Sequence, residues 1–271
     1  MSKQIRRYIF TVAIIFGLSA VLLATGLAAA QGAGSSGHAY AIVNGGKASI
    51  ATGQIIASGK LLPDGRCEMP DLKLVGEGSN NSPPHGSIAV RVTHDCKLVV
   101  ADITFDHDAT PPEKSSTGTD VAIANPVEVS LDKAGSVPTD GVGTLTIMHY
   151  RGWAESEYND IVGIDLTKVY ASMKYYDNGS SVYGGHEPVN YCSWTADGWR
   201  CVSCSMAWSP TGPSYVWTNT QGTFEWIGGL WPHWHLAQYV GSPGSYSWGC
   251  MHTGSTVPGG YWKCEGGRQT L

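Results

Sequence analysis

The sequence predicts an all-β protein: an antiparallel β-sandwich or barrel-like fold, stapled by disulfides, that follows an N-terminal signal peptide. After residue 30, apolar residues recur mainly with period two, which is typical of half-buried strands. Gly, Pro and Asn-Gly or Asp-Gly pairs interrupt these runs often, as expected for short strands joined by turns. The chain also contains seven cysteines, which in an exported protein indicate disulfides.

The first element is a signal peptide predicted over residues 1–30. Basic residues precede an apolar run over 8–27, and Ala28-Ala29-Ala30 fits a signal-peptidase site. Cleavage there predicts a secreted, extracellular protein that begins at Gln31. The same segment is long enough to cross a bilayer, so an uncleaved anchor is the alternative.

The charge of the mature chain restricts its partners. Cleavage would remove three of the 17 basic residues and none of the 22 acidic ones, which changes the net charge from −5 to about −8. Nucleic-acid phosphates and anionic lipids both select a basic surface. We therefore expect no nucleic-acid partner and no membrane association unless the N-terminal segment is retained.

Aromatic residues divide the mature chain into two halves. Residues 31–148 contain only Tyr40 and Phe105, whereas residues 149–271 contain all ten tryptophans. This contrast predicts a β-rich N-terminal half and a Trp/Tyr-rich C-terminal half, as two domains or as one continuous domain.

Three turn signals predict where hairpins or other strand connections lie. Alternating apolar residues on either side of 94–96 predict a hairpin over 87–105. Asp177-Asn178-Gly179 is the strongest hairpin signal, and Asp197-Gly198 divides two further strands in a similar way.

The cysteines predict three disulfides and one free thiol. They are Cys67, Cys96, Cys192, Cys201, Cys204, Cys250 and Cys264. The two in the first half should bridge each other, and the last two flank a loop and form a natural pair. Cys192 lies across a turn from Cys201 and Cys204, and either can reach it; the remaining thiol allows self-association. The Cys-x-x-Cys spacing also occurs in zinc and redox sites, but without a second such pair a structural disulfide is favoured.

The surplus of tryptophan suggests a ligand-binding surface. Rigid, amphipathic aromatic rings provide contact area at low entropic cost and can stack on sugars. The candidate ligand-binding residues are Trp194, Trp199, Trp217, Trp226, Trp231 and Trp234. The alternative is that these rings replace aliphatic residues in a thin sandwich core.

A metal site is the second hypothesis. His233 and His235 are two residues apart, so on a strand both rings point to one face and could bind zinc or copper. A third ligand could come from Glu225, His252 or His186. The competing interpretation is that the two histidines pack against neighbouring tryptophans.

Two acidic groups complete the candidates. Asp102, Asp106, His107 and Asp108 could bind calcium, and His94-Asp95 could join them across the hairpin, although solvated loop charge is the simpler interpretation. Glu155, Glu157 and Asp160 lie in a Trp- and Tyr-containing segment and allow a sugar-cleaving role.

Together these patterns support three functional hypotheses. The first is a secreted, non-catalytic β-sandwich that binds a glycan or another extracellular ligand through exposed aromatics. The second is an extracellular metal-dependent enzyme or metal-binding protein that uses His233 and His235. The third is a structural envelope protein that self-associates.

Overall fold

The computed structural model describes residues 37–80, 84–106, 121–122, 147–160, 162, 164–195, 198–209 and 214–271. The signal-peptide prediction lies outside these residues. The described part of the chain contains sixteen strands and no helix, which confirms the all-β prediction. Consequently, no helix long and apolar enough to cross a bilayer is found in the described residues.

The strands in chain order are β1 (His38–Val43), β2 (Gly46–Ser49), β3 (Ile55–Ser58), β4 (Lys60–Leu61), β5 (Cys67–Ser79), β6 (His85–Val92), β7 (Lys97–Asp106), β8 (Val121–Ala122), β9 (Met148–Asn159), β10 (Asp165–Asp177), β11 (Val182–Trp194), β12 (Trp199–Ser209), β13 (Val216–Trp226), β14 (Leu230–Ser242), β15 (Ser245–Thr256) and β16 (Tyr261–Thr270).

These strands form two antiparallel sheets that pack face to face. Sheet A has the order β12-β13-β14-β15-β5-β1-β2, and β4 pairs with β5. Sheet B has the order β3-β7-β6-β16-β9-β10-β11-β8. Each sheet contains strands from both sides of residue 148, because β5 pairs with β15 and β6 pairs with β16. The change in aromatic content near that residue therefore does not coincide with a division between sheets.

Two of the three turn predictions describe paired hairpins. β6 and β7 pair around the 93–96 turn, and β10 pairs with β11 around Asp177-Asn178-Gly179. In the second turn the Asp177 carboxylate accepts the Gly179 N–H at 2.7 Å, and Gly179 has a φ of +82°, which favours glycine. The third prediction needs correction: β11 lies in sheet B and β12 in sheet A, so the connection that contains Gly198 crosses between sheets.

All three predicted disulfides are present, and each joins the two sheets. Cys67 on β5 bonds Cys96 in the β6–β7 turn, and Cys250 on β15 bonds Cys264 on β16. Cys204 on β12 is the partner of Cys192 on β11. Disulfides that persist are typical of an oxidising compartment.

The core between the sheets combines large aromatic rings with glycines. Trp248 of β15 is 2% exposed. A Cβ built on Gly76, Gly86 or Gly266 would lie within 2.1–2.6 Å of its indole, so only glycine leaves room for the ring. Gly86 and Gly266 belong to the facing sheet. Large aromatic rings thus share this core with aliphatic residues such as Leu72, Leu74 and Ile88.

Candidate functional site

The outer face of sheet A presents two tryptophans. On β13 the buried residues Val216 and Thr218 flank Trp217, and on β14 the buried residues His233 and His235 flank Trp234. Since successive strand residues point to opposite faces, Trp217 and Trp234 both point away from the core. Both rings are partly exposed.

Amide side chains occupy the strand positions between these two rings. The register pairs Trp217 with Val240, Asn219 with Gln238, Gln221 with Leu236, and Thr223 with Trp234. The rings are therefore six residues apart along β13, roughly 20 Å at the usual rise per residue. We call the surface formed by Trp217, Asn219, Gln221, Trp234 and Gln238 the tryptophan face.

A lysine crosses the neighbouring strand to reach this face. Lys73 of β5 donates to the Gln238 side chain at 3.3 Å. It passes over Gly249, where a Cβ would lie 3.2 Å from the lysine Cε. Burial lowers the pKa of Lys73. The face thus combines two flat apolar rings with amide donors, amide acceptors and one amine.

The other four candidate tryptophans serve the core. Trp199 is 5% exposed and belongs to the core itself, while Trp194, Trp226 and Trp231 are partly buried against it. Trp199, Trp226 and Trp231 pack on one another with ring centroids 5.6–6.3 Å apart. These positions do not fit a role as exposed ligand-binding rings.

The segment around Pro232 is irregular. β14 pairs with β13 on one side and β15 on the other, so it is a central strand. The register shifts opposite this segment, between Phe224 and Trp226, and Trp231 has a φ of +52°. Trp231 shares the parity of the inward His233 and His235 and packs on the core, whereas Trp234 has the opposite parity and faces outward.

His233 and His235 lie between the sheets together with His252. The three ring centroids are 4.8–5.6 Å apart, and all three residues are buried. Burial lowers the pKa of His233 to about 4, against a weaker opposing effect of its bond to the Trp231 carbonyl. Burial, followed by repulsion from neighbouring histidines, lowers the pKa of both His235 and His252 well below the usual value. All three rings are therefore neutral at pH 7.

A directional chain of hydrogen bonds runs through two of these rings. His233 Nδ1 lies 3.1 Å from the Trp231 carbonyl, which can only accept, so Nδ1 carries the proton and Nε2 accepts. The Thr167 hydroxyl, 2.9 Å away, must then donate to His233 Nε2. That hydroxyl in turn accepts from His235 Nε2 at 3.2 Å.

The chain continues through the other nitrogen of His235 to a second residue of sheet B, Ser156. With its proton on Nε2, His235 accepts at Nδ1 from the Ser156 hydroxyl at 3.0 Å. Ser156 accepts from the Trp262 indole N–H at 2.8 Å. Hydrogen bonding thus assigns one tautomer to each of these two rings and joins the two sheets through the core.

These contacts bear on the metal hypothesis. Of the three possible third ligands, only His252 joins the pair; Glu225 contacts Arg200, and His186 stacks on His149 and Tyr176. Within the described ranges, no group of three His, Cys, Asp or Glu side chains is arranged to hold a metal ion. The geometry gives the zinc or copper hypothesis no further support.

Glu155 and Glu157 form a buried charged cluster on sheet B. They are 2% and 5% exposed, they hydrogen-bond each other, and Lys168 contacts both. Burial and the neighbouring Glu157 charge raise the pKa of Glu155 well above its usual value. Burial opposes ionisation of Glu157 too, but the hydrogen bond from Glu155 and the Lys168 charge lower its pKa overall. Of the two carboxyl groups, Glu155 is thus the one whose neutral form is favoured.

This cluster differs from a glycosidase pair. Glycosidases hold their two carboxyl groups about 5 Å or more apart, on either side of the scissile bond. Here both carboxyl groups contact the same lysine, Lys168. Asp160 has a local role, since its carboxylate accepts the N–H groups of Val162 at 2.8 Å and Ile164 at 2.9 Å.

The proposed calcium ligands are spread along β7. Asp102 lies within the strand and Asp106 at its end, whereas His107 and Asp108 lie outside the described residues. Asp95, in the turn at the other end of this hairpin, pairs with Lys97 at 2.6 Å. His94-Asp95 therefore does not join Asp106 across the hairpin.

The one free cysteine among the described residues is Cys201. Burial raises the pKa of its thiol, which donates to the Ser203 carbonyl at 3.1 Å. Its Cys-x-x-Cys neighbour is bonded to Cys192 instead, so the spacing reflects a structural disulfide.

The sequence patterns missed the amides of the tryptophan face and the two hydroxyls of the histidine chain. On β13 the inward positions Thr218, Thr220 and Gly222 are small or polar, so hydrophobic alternation does not distinguish its two faces. The alternation in Trp217-x-Asn219-x-Gln221 places all three side chains on one face of a strand. That spacing is the signal that could have identified the amides. Ser156 and Thr167 are too far from the histidines in sequence for any local pattern.

No protein-family model, curated protein or solved structure matches this chain.

Proposed function

We propose that the protein is a secreted, non-catalytic module that binds a glycan on the tryptophan face. The observation that supports this most directly is the outward orientation of Trp217 and Trp234 on one sheet, with amide side chains between them. A sugar polymer offers apolar ring faces that suit indoles and hydroxyls that suit amides. The roughly 20 Å between the rings suits an extended chain better than a single sugar.

Secretion is supported by the three disulfides, which favour an oxidising compartment. Mass spectrometry of protein recovered from the culture medium tests this part separately. The expected N-terminus is Gln31; recovery only in the membrane fraction with residues 1–30 intact would support the anchored alternative.

Binding is tested on a panel of polysaccharides: insoluble cellulose, chitin and peptidoglycan, and soluble β-glucan and mannan. For a polysaccharide that binds, Trp217→Ala and Trp234→Ala should each weaken the affinity about 10-fold or more, equivalent to about 1.4 kcal/mol. The double variant should lose detectable binding.

The matched control is Tyr183→Ala, which removes an exposed aromatic ring from sheet B. It should bind like the parent protein. Near-UV circular dichroism and thermal melting of each variant show that the fold is retained. Absence of binding across the panel, or binding that the double variant keeps, would overturn the proposal.

A further inference from the structure

The strands at the sheet margins differ in how well they are protected against pairing with another chain. An edge strand exposes unpaired N–H and C=O groups, and proteins limit this with short strands, charges, prolines or bulges. The marginal strands β2, β3, β4 and β8 have only two to four residues. Lys47 and Lys60 add charge to β2 and β4.

β11 is long but carries several protective features. β8 pairs with it only at Tyr191 and Cys192, so much of its margin is uncovered by the described strands. This part contains Glu187 and Pro188, and Glu187 has a φ of +45°. The ladder with β10 also shifts register twice near these residues. A regular strand cannot pair easily along such a margin.

β12 has none of these features along most of its length. It contains eleven residues, and β13 is its one hydrogen-bonded neighbour among the described strands. From Cys201 to Ser209 it has no charge and no proline. Arg200, at its start, is paired with Glu225 of β13. Val202, in the bulge near this end, is 55% exposed.

We propose that β12 is a dimer interface, at which it pairs antiparallel with β12 of a second copy of this chain. In antiparallel pairing about a two-fold axis, residue i of one copy faces residue j of the other and j faces i, so only residues near the axis lie close to their own counterparts. A charged residue near the axis would therefore face a like charge. The uncharged stretch of β12 avoids that repulsion.

The outward side chains of β12 also suit self-pairing. Ser203, Ser205 and Ala207 are exposed and face the same side as Gln221 and Asn219 of β13. Small side chains fit the 4.5–5.5 Å separation of directly opposed residues without steric conflict. Pairing would continue sheet A through both copies.

The first test is the mass of the purified protein across a concentration series, by sedimentation equilibrium, without glycan. Cys201→Ser is used as the background so that no native thiol can cross-link. This background should show a concentration-dependent dimer. Ser205 is the middle residue of the uncharged stretch, so for pairing centred on that stretch Ser205→Lys places like charges near the axis and should shift the protein to monomer with unchanged thermal melting. Ser49→Lys, on β2 at the other margin of sheet A, is the matched control and should remain dimeric.

The second test locates the axis. Ser203→Cys, Ser205→Cys and Ala207→Cys are each introduced singly into the Cys201→Ser background. Oxidation should cross-link the variant nearest the two-fold axis much faster than a Ser49→Cys control, because a disulfide requires Cα atoms within about 7 Å. A background protein that is monomeric throughout overturns the proposal, as does a dimer that Ser205→Lys leaves intact. A monomer that instead binds an unrelated extended peptide also overturns it. These results do not depend on glycan binding.

Discussion

The Ser156 hydroxyl lies 3.0 Å from Nδ1 of His235, across the interface between the two sheets. Their sequence separation is 79 residues. This contact belongs to a polar chain inside an otherwise apolar core, and each hydroxyl in the chain both donates and accepts. Such a chain is stable only while every member is present, because an unpaired polar group in a core is costly.

Thr167→Val tests this dependence directly. Valine has nearly the same shape but leaves His233 Nε2 and His235 Nε2 without their common partner. We expect the free energy of unfolding to fall by about 2–4 kcal/mol. Thr223→Val, the same change on the outer face, should alter it by less than about 0.5 kcal/mol. Urea unfolding of both variants makes the comparison; equal effects would contradict the assigned chain.

Acid should destabilise the protein in a defined range. The three buried histidines have lowered pKa values in the folded state, so the unfolded chain binds more protons below pH 6.5. Their stabilising effect is complete above pH 6.5 and is lost as the pH falls towards 4. Each contributes a slope of about 1.4 kcal/mol per pH unit. Urea unfolding at a series of pH values measures this slope.

His252→Leu isolates one part of that slope. His252 Nδ1 is buried and has no hydrogen-bond partner among the described residues, and Leu72 and Trp262 lie near the ring. In the variant, the histidine contribution to the pH dependence of the unfolding free energy should fall by about a third. Its stability at pH 7 should not fall. His94→Gln, in the exposed β6–β7 turn, should keep the parent slope. An unchanged slope in His252→Leu would show that this ring does not protonate on unfolding.

The two glutamates of the sheet B cluster should respond differently to the same substitution. Because burial and the Glu157 charge raise the pKa of Glu155, its neutral form is favoured, and Glu155→Gln should change the free energy of unfolding little. Glu157→Gln removes the anion beside Lys168. It should lower the free energy of unfolding by about 2–4 kcal/mol more than Glu155→Gln does, because the buried charge of Lys168 is then less well compensated. Glu187→Gln, in an exposed pair with Lys174, is the control and should cost under about 1 kcal/mol. Chemical denaturation distinguishes these values.

Local signals in the sequence were sufficient for the strands, the paired hairpins and two of the disulfides, and they left two choices for the third. The 177–179 turn sits between residues that pair directly, and the partner of Cys192 was restricted to two nearby cysteines. Predictions of this kind need only short-range geometry. The all-β class follows from the same alternation of residues.

The strand order and the site needed tertiary structure. That β5 lies between β15 and β1 is determined by packing of the two sheets, which period-two patterns do not specify. A similar limit applies to the tryptophans. The odd spacing of Trp231 and Trp234 predicts that their rings point to opposite faces of one strand, but which face is the core depends on how the two sheets pack.

The placement of the disulfides leaves two parts of the chain without a disulfide between them. The Cys67–Cys96 bond lies wholly before residue 107, and the other two lie wholly after residue 146. A single protease cut between β7 and β8 would therefore leave two polypeptides with no covalent link. Each would keep its own disulfides, and the β5–β15 and β6–β16 ladders, one in each sheet, would hold them together. The nicked protein should elute as one particle and separate in denaturant without reductant, so the two pieces could be prepared and recombined as complementing fragments.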